Sequence, residues 1–379
     1  MSTAAEHVKK LVTESKLVVC VGSGGVGKTT TAAALAIAAA RSGRKAAVLT
    51  IDPAKRLAQA LGVEAMGNIP RTLTPELTAP GSVDAMMLEA SAALDDFVQR
   101  LVPDADRRER LFQNRLYQVI ARHLGGTHEY MAVERLHALV EESGYDVVIL
   151  DTPPTVNALD FLDAPNRLAG FFSEKITRFF VKQGEDKKKG FIDKLRDRAG
   201  DLAMGVLGKA LGEGFVEELA DFSTAFQGLF VAIHDRAVAA DKILRAPTTS
   251  FLIVSAADPV RTAEAEAFLQ TLDRLGIHPR AIIANRVHID RGDIDVDIAS
   301  VMEALVPVGL GAEAADAFEA ISTGQRQLKA VRQRDRRGLA HLERLVGKQR
   351  VMVVGELDQE VQDRAAVEHF LAVLGLARA

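Results

Sequence analysis

Apolar residues fall in short unbroken runs separated by longer mixed stretches. Leu17-Val18-Val19-Cys20-Val21 contains no polar position and ends at a glycine. A run that is apolar on both faces is what a central parallel strand requires. An alanine-rich stretch, Thr30 to Arg41, follows at helical length, with Gly43 as its stop. Lys45 to Ile51 reads as a second strand, so the first fifty residues predict a βαβ unit and hence a parallel sheet. Further strands are predicted at Val83 to Leu88, Asp146 to Asp151, Ser250 to Ser255, Arg280 to Asn285 and Arg350 to Val354, with helical patterns between them, including about Ser91 to Ser143.

One stretch breaks this alternation. From about Leu168 to Arg245 no strand signal occurs, and more than half of the chain's 16 Phe lie there, from Phe171 to Phe230. Lys187-Lys188-Lys189-Gly190 interrupts it like an exposed loop. The expected organisation is an α/β domain over 1–167 and 246–379 with a helical insertion at 168–245. The Phe residues fit equally a client-binding surface and an inward-packing core, since apolar stripes on helices usually face a core.

Composition narrows the picture. The chain has 379 residues, 48% of them hydrophobic and 26% charged, enough for a large core. A net charge of −4 argues against nucleic acid held by bulk electrostatics. The single cysteine, Cys20, excludes an internal disulfide and a cysteine-cluster metal site. The start Met1-Ser2-Thr3-Ala4-Ala5-Glu6-His7 lacks the form of a signal peptide, and no run reaches the roughly 20 apolar residues of a membrane span. A soluble, cytoplasmic protein is expected.

Chemistry concentrates where strands end. Gly22-Ser23-Gly24-Gly25-Val26-Gly27-Lys28-Thr29-Thr30 carries the spacing of a phosphate-binding loop and stands between a buried strand and a helix. Glycines let backbone N–H groups turn towards phosphates, and the helix N-terminus adds partial positive charge. Lys28 suits the β- and γ-phosphates of ATP, and the Thr29 hydroxyl suits Mg²⁺. Asp151 ends an apolar strand, where a carboxylate serves either the metal shell or a turn. Asp52-Pro53-Ala54 follows the second strand. Asp52 could orient an attacking water and face the metal, or cap a helix that starts with Pro. Asn285, at another strand end, fits a purine edge or a turn. The histidines, His288 among them, lack ligand spacing and read as surface or packing residues. The basic run from Arg326 to Arg337 reads as a solvated helix face.

These segments resemble the ArsA-type anion-transporting ATPases and the ATPase that guides tail-anchored membrane proteins. The loop core Gly24-Gly25-Val26-Gly27-Lys28-Thr29-Thr30 resembles their deviant Walker A loop. Thr50-Ile51-Asp52-Pro53-Ala54 resembles switch I, and Asp151-Thr152-Pro153-Pro154-Thr155 resembles switch II. Ala284-Asn285-Arg286-Val287 and Val354 to Val361 resemble two adenine-side segments, the second bringing Glu356 and Leu357 to the nucleotide. Asn114 to Tyr117, Gly126 to Ala132 and Asn157 to Pro165 are similar to a bacterial branch in which two such single-loop proteins are made together. The resemblance implies a doubly wound, mostly parallel sheet, ATP and Mg²⁺ as ligands, and a dimer gated by nucleotide. It makes Asp52 the water-orienting carboxylate and Asn285 an adenine contact.

Departures from the family pattern shape the expected function. The family loop carries a lysine that crosses the dimer, where this chain has Ser23. The expectation is a homodimer or a heterodimer with a lysine-bearing paralogue. Lys55 and Arg56 depart from switch I, and Asn157 replaces a histidine in switch II. With Cys20 as the one thiol, neither a cysteine zinc bridge nor a cysteine arsenite site can form. The leading reading is an ATPase switch for protein targeting, chaperoning or membrane-associated transport, holding a hydrophobic client helix. The alternatives are a non-catalytic nucleotide-binding subunit, which Ser23 favours, and a positioning ATPase of the MinD or ParA kind.

Overall fold

The computed structural model describes residues 3–51, 56–63, 66–88, 98–100, 102, 104–114, 117–118, 127–153, 162–165, 234–289, 297–357 and 364–376. Its strands are β1 (Leu17–Val21), β2 (Lys45–Thr50), β3 (Arg71–Thr72), β4 (Ser82–Met87), β5 (Val147–Asp151), β6 (Thr249–Ala256), β7 (Ala281–Val287) and β8 (Val351–Gly355). They form one sheet in the order β3-β4-β2-β5-β1-β6-β7-β8. Every described pairing is parallel except that of the two-residue edge strand β3 with β4.

The described helices are α1 (Thr3–Glu14), α2 (Lys28–Arg41), α3 (Arg56–Leu61), α4 (Pro75–Thr78), α5 (Ala105–Gln113), α6 (Thr127–His137), α7 (234–244), α8 (Pro259–Arg274), α9 (Ile298–Leu305), α10 (Ala314–Val346) and α11 (Arg364–Val373). A π-helical turn, Ala138–Glu142, extends α6.

Alternation along the strands builds two cores. In β1, Leu17, Val19 and Val21 face one layer while Val18 and Cys20 face the other. The first layer holds α6, α7, α8 and the C-terminal half of α10, through Leu136, Ile243, Phe268 and Leu342. The second holds α1, α2 and α11, through Leu11, Leu35 and Phe370. Helix α2 is buried nearly all round, which its alanines permit because they let flanking elements approach closely. Its last turn is anchored by Arg41, whose guanidinium bonds Glu368 of α11 and the Leu77 carbonyl.

This is the doubly wound parallel sheet expected from the sequence. The crossover from β1 runs to β2 on one side, whereas those from β6 and β7 run the other way, so the chain switches direction between β1 and β6. Crevices above strand C-termini at such a switch point are where α/β sheets bind ligands. Of the insertion expected at 168–245, only 234–245 belongs to the described residues, and 234–244 is helical. The remainder, with all of its Phe residues, lies outside them.

Candidate functional site

Strand β1 ends at Val21, and the next six residues wrap over its C-terminal end before α2 begins at Lys28. Gly22 has φ 153°, and a Cβ there would lie 2.0 Å from the Val254 carbonyl oxygen of β6. Gly27 caps α2 in the left-handed region at φ 96°, and its Cβ would meet Asn285 Nδ2 at 2.3 Å. Only glycine fits either place. The loop is thus held against β6 and β7 on one side, and its backbone N–H groups crown the N-terminus of a 14-residue helix.

Lys28 folds back over this loop, and its Nζ donates to the Ser23 carbonyl at 2.9 Å. Ser23 itself is buried. Beside the lysine, the Thr29 hydroxyl donates to Asp151 Oδ2 at 2.8 Å, and Thr50 donates to the same oxygen at 3.0 Å. Asp151 is 1% exposed. It reaches this position because β5 lies between β1 and β2, in a register that sets Asp151 opposite Cys20 on one side and Thr50 on the other. Thr152 continues the strand end by donating from its hydroxyl to the Cys20 carbonyl at 2.8 Å.

Burial pushes the Cys20 thiol far above its ordinary value; the Asp151 charge adds to the shift and Lys28 opposes it. It is therefore a neutral packing group behind the loop. Asn285, at the end of β7, donates from Nδ2 to the Val26 carbonyl at 2.8 Å. It is 6% exposed and fastens the loop to β7. Glu356 and Leu357 stand just past β8, where the Glu356 N–H donates to the Val287 carbonyl at 3.0 Å.

Lys28 and Thr29 thus bond the loop and Asp151, and Asn285 bonds the same loop from β7, while Glu356 is tied to the residues just past β7. Asp52 lies outside the described residues, as do the rest of switch I to Lys55 and the segment 154–161 with Asn157. Ile51, the last described residue before Asp52, is buried and donates its N–H to the Asp151 carbonyl at 3.2 Å. Thr50 and Thr152 stand out in the sequence only as members of the two switch-like segments; their bonds to Asp151 and Cys20 come from strand register. His288 was read as a surface or packing residue; it joins Asp335 of α10 and Glu356 in a buried-to-exposed ion network. No spacing signal links positions so far apart.

Among the described residues no cluster of three or more His, Cys, Asp or Glu could hold a metal ion. A Mg²⁺ bound with a nucleotide needs less, because phosphates and water complete its shell. One hydroxyl and one carboxylate 2.8 Å apart, beside a glycine cradle that side chains would fill, fit that requirement.

Residues 15–303 match the family described as anion-transporting ATPase. The chain belongs to the ArsA ATPase family. Relatives in that class include a protein named ATPase get3 from Aspergillus terreus, 25% identical over 73% of this chain and 74% of its own length. Another, named ATPase GET3, from Ajellomyces dermatitidis, is 26% identical over 70% of this chain and 71% of its own. This ATPase hydrolyses ATP. No described helix of the ATPase is long and apolar enough to cross a membrane.

Proposed function

We propose that this ATPase is a Mg²⁺-dependent, dimeric switch in which nucleotide state sets the arrangement of the segments after β2 and β5. The observation that carries the reading is the shared acceptor. Asp151 Oδ2 receives hydrogen bonds from both Thr29 of the phosphate loop and Thr50 of the β2 end. Any change at Thr29 on metal binding therefore alters the anchor of the strand that leads to Asp52. Bound Mg²⁺ would neutralise charge on the β- and γ-phosphates. Lys28 would hold those phosphates, Asp151 would fix the Thr29 hydroxyl, and Asp52 would orient the attacking water. Asn285 would face the adenine from the far side of the loop, with Glu356 and Leu357 beside it.

The resemblance to the tail-anchored-protein ATPase and the relatives named GET3 support protein targeting or chaperoning as the setting, or membrane-associated transport, rather than arsenite efflux. A hydrophobic client helix is the partner chemistry that fits, with the Phe-rich stretch as its expected surface. Helix α11 buries Val367, Phe370 and Leu371 in the second core, so its apolar face is not offered to a membrane, as a positioning ATPase would require.

The substitution Asp151→Asn keeps the shape and removes the charge. It is expected to lower ATP turnover about a hundredfold while ATP binding survives, the scale of losing one preorganised electrostatic group. ATP and ADP should give different limited-proteolysis patterns in the parent and the same pattern in the variant. Unchanged turnover would sink the reading. Ser23 favours a second one, a nucleotide-binding subunit that does not turn over on its own. Binding without hydrolysis both alone and with a lysine-bearing paralogue would mark it.

A further inference from the structure

A nucleotide lying along the loop has its direction set by the described residues. Thr29, Asp151 and Thr50 mark the metal and terminal-phosphate end, and they lie towards β5 and β2. The base then leaves on the other side of β1, above the ends of β6, β7 and β8, the side the switch point opens.

There, three elements are tied through one ring. The His288 N–H, just past β7, donates to Asp335 Oδ2 at 3.0 Å, and its ring Nδ1 lies 2.9 Å from the same oxygen. Its Nε2 lies 2.7 Å from Glu356 Oε2, just past β8. Asp335, on α10, is 1% exposed, and Arg334 donates to its other oxygen at 2.8 and 3.0 Å. Burial pushes the Asp335 carboxyl up, but the hydrogen bonds from the His288 backbone, Arg334 and the His288 ring together hold it below its ordinary value. A buried, charged acceptor of this kind fixes the ring that sits on it.

Beside this anchor the strand is distorted. Between Ala284 and Val287 the register of β7 with β8 shifts, and Arg286 adopts φ 57°, in the left-handed region. A non-glycine residue held there is strained and persists where its surroundings over-determine it. The bulge lies between Asn285, fastened to Val26, and His288, fastened to Asp335. Bulges re-aim side chains at functional sites.

We propose that His288, seated on Asp335 and gripping Glu356, is a positioning residue that sets the base side of the site. It fixes the β7 bulge that aims the Asn285 carboxamide and fixes the β8 exit carrying Glu356, and so confers affinity for the base and selectivity for adenine over guanine. This rests on the ATP reading of the crevice.

The test uses the full chain with His288→Ala, Glu356→Ala and the double variant. Calorimetry with Mg²⁺ would measure ATP, GTP and inorganic tripolyphosphate. The single variants are expected to weaken ATP about tenfold, the value of one charge-assisted hydrogen bond, and to shrink the ATP-to-GTP preference. Tripolyphosphate, which has no base, should bind as it does to the parent. The double variant should be no weaker than the worse single, since both act through one contact. Glu356 is half exposed, so its variant stays folded and decides alone if His288→Ala melts early. Unchanged ATP affinity, an equal loss for tripolyphosphate, or additive effects would each overturn the proposal. A parent chain that binds neither ATP nor tripolyphosphate would instead remove the nucleotide reading itself.

Discussion

Two glycines of the phosphate loop are bounded by different neighbours, and the difference separates stability from binding. The absent Cβ of Gly22 faces a backbone carbonyl of β6, whereas that of Gly27 faces the amide tip of Asn285. A carbonyl inside a sheet cannot step aside, but a side chain can. Gly22→Ala should therefore lower stability by about 1–3 kcal/mol, read as a drop in denaturation midpoint. Gly27→Ala should displace Asn285 and weaken ATP by roughly tenfold or more, since φ 96° is also strained for alanine. The reverse ranking in paired melting and binding measurements would contradict this account of the loop. Cys20 offers an independent check on the same corner. Its thiol is fully buried and pushed up by that burial, so thiolate is scarce at neutral pH. A thiol-directed reagent at pH 8 should leave the native chain unlabelled and label one site per chain in denaturant. Rapid native labelling would mean that the strand behind the loop opens readily.

Helix α10 shows how one element couples the sheet to the base side of the site. Of its 33 residues, Asp335, Gly338 and Leu342 are buried in its C-terminal half, one turn apart on one face. Gly338 lets the helix touch the end of β6, since a Cβ there would lie 1.8 Å from the Ala257 oxygen. Gly338→Ala should push the helix off the sheet, costing about 1–3 kcal/mol, and lift Asp335 away from His288. Thermal unfolding and ATP affinity should both suffer, unlike in Glu356→Ala, where affinity alone should. What the sequence made legible follows the same division between local and tertiary causes. The parallel strands were readable because burial on both faces leaves continuous apolar runs, as in Leu17 to Val21. The loop was readable because its glycines, Lys28 and Thr29 are contiguous. The edge strand Arg71–Thr72 was not, since two exposed polar residues carry no pattern. The bond from Thr50 to Asp151 was not, because it arises from the register of β2 with β5. The helix Thr3–Glu14 and the bond between His288 and Asp335, 47 positions apart, likewise depend on what they pack against.

At the scale of the molecule, the question is where the second positive charge for hydrolysis comes from. Lys28 supplies one, and it is drawn over the Ser23 carbonyl. Ser23 is 4% exposed, so this corner of the loop extends no side chain towards a neighbouring copy. Charge that develops on a transferring phosphoryl group is stabilised by preorganised cations, and one such group is worth roughly 10²–10³ in rate. A symmetric pair of this chain would lack a cation from this loop position at both sites. Ser23→Lys should then raise turnover by roughly tenfold or more and make the specific rate depend on protein concentration. To separate action across a dimer from action within one chain, the lysine can be placed on a chain that carries Lys28→Ala and turns over nothing itself. Mixing that double variant with the parent should accelerate the parent, because the new lysine would serve the parent's nucleotide. Mixing with Lys28→Ala alone should not. If Ser23→Lys binds ATP normally yet is no faster at any concentration, and mixing changes nothing, the missing cation is not what limits this ATPase, and the case for a lysine-bearing partner goes with it.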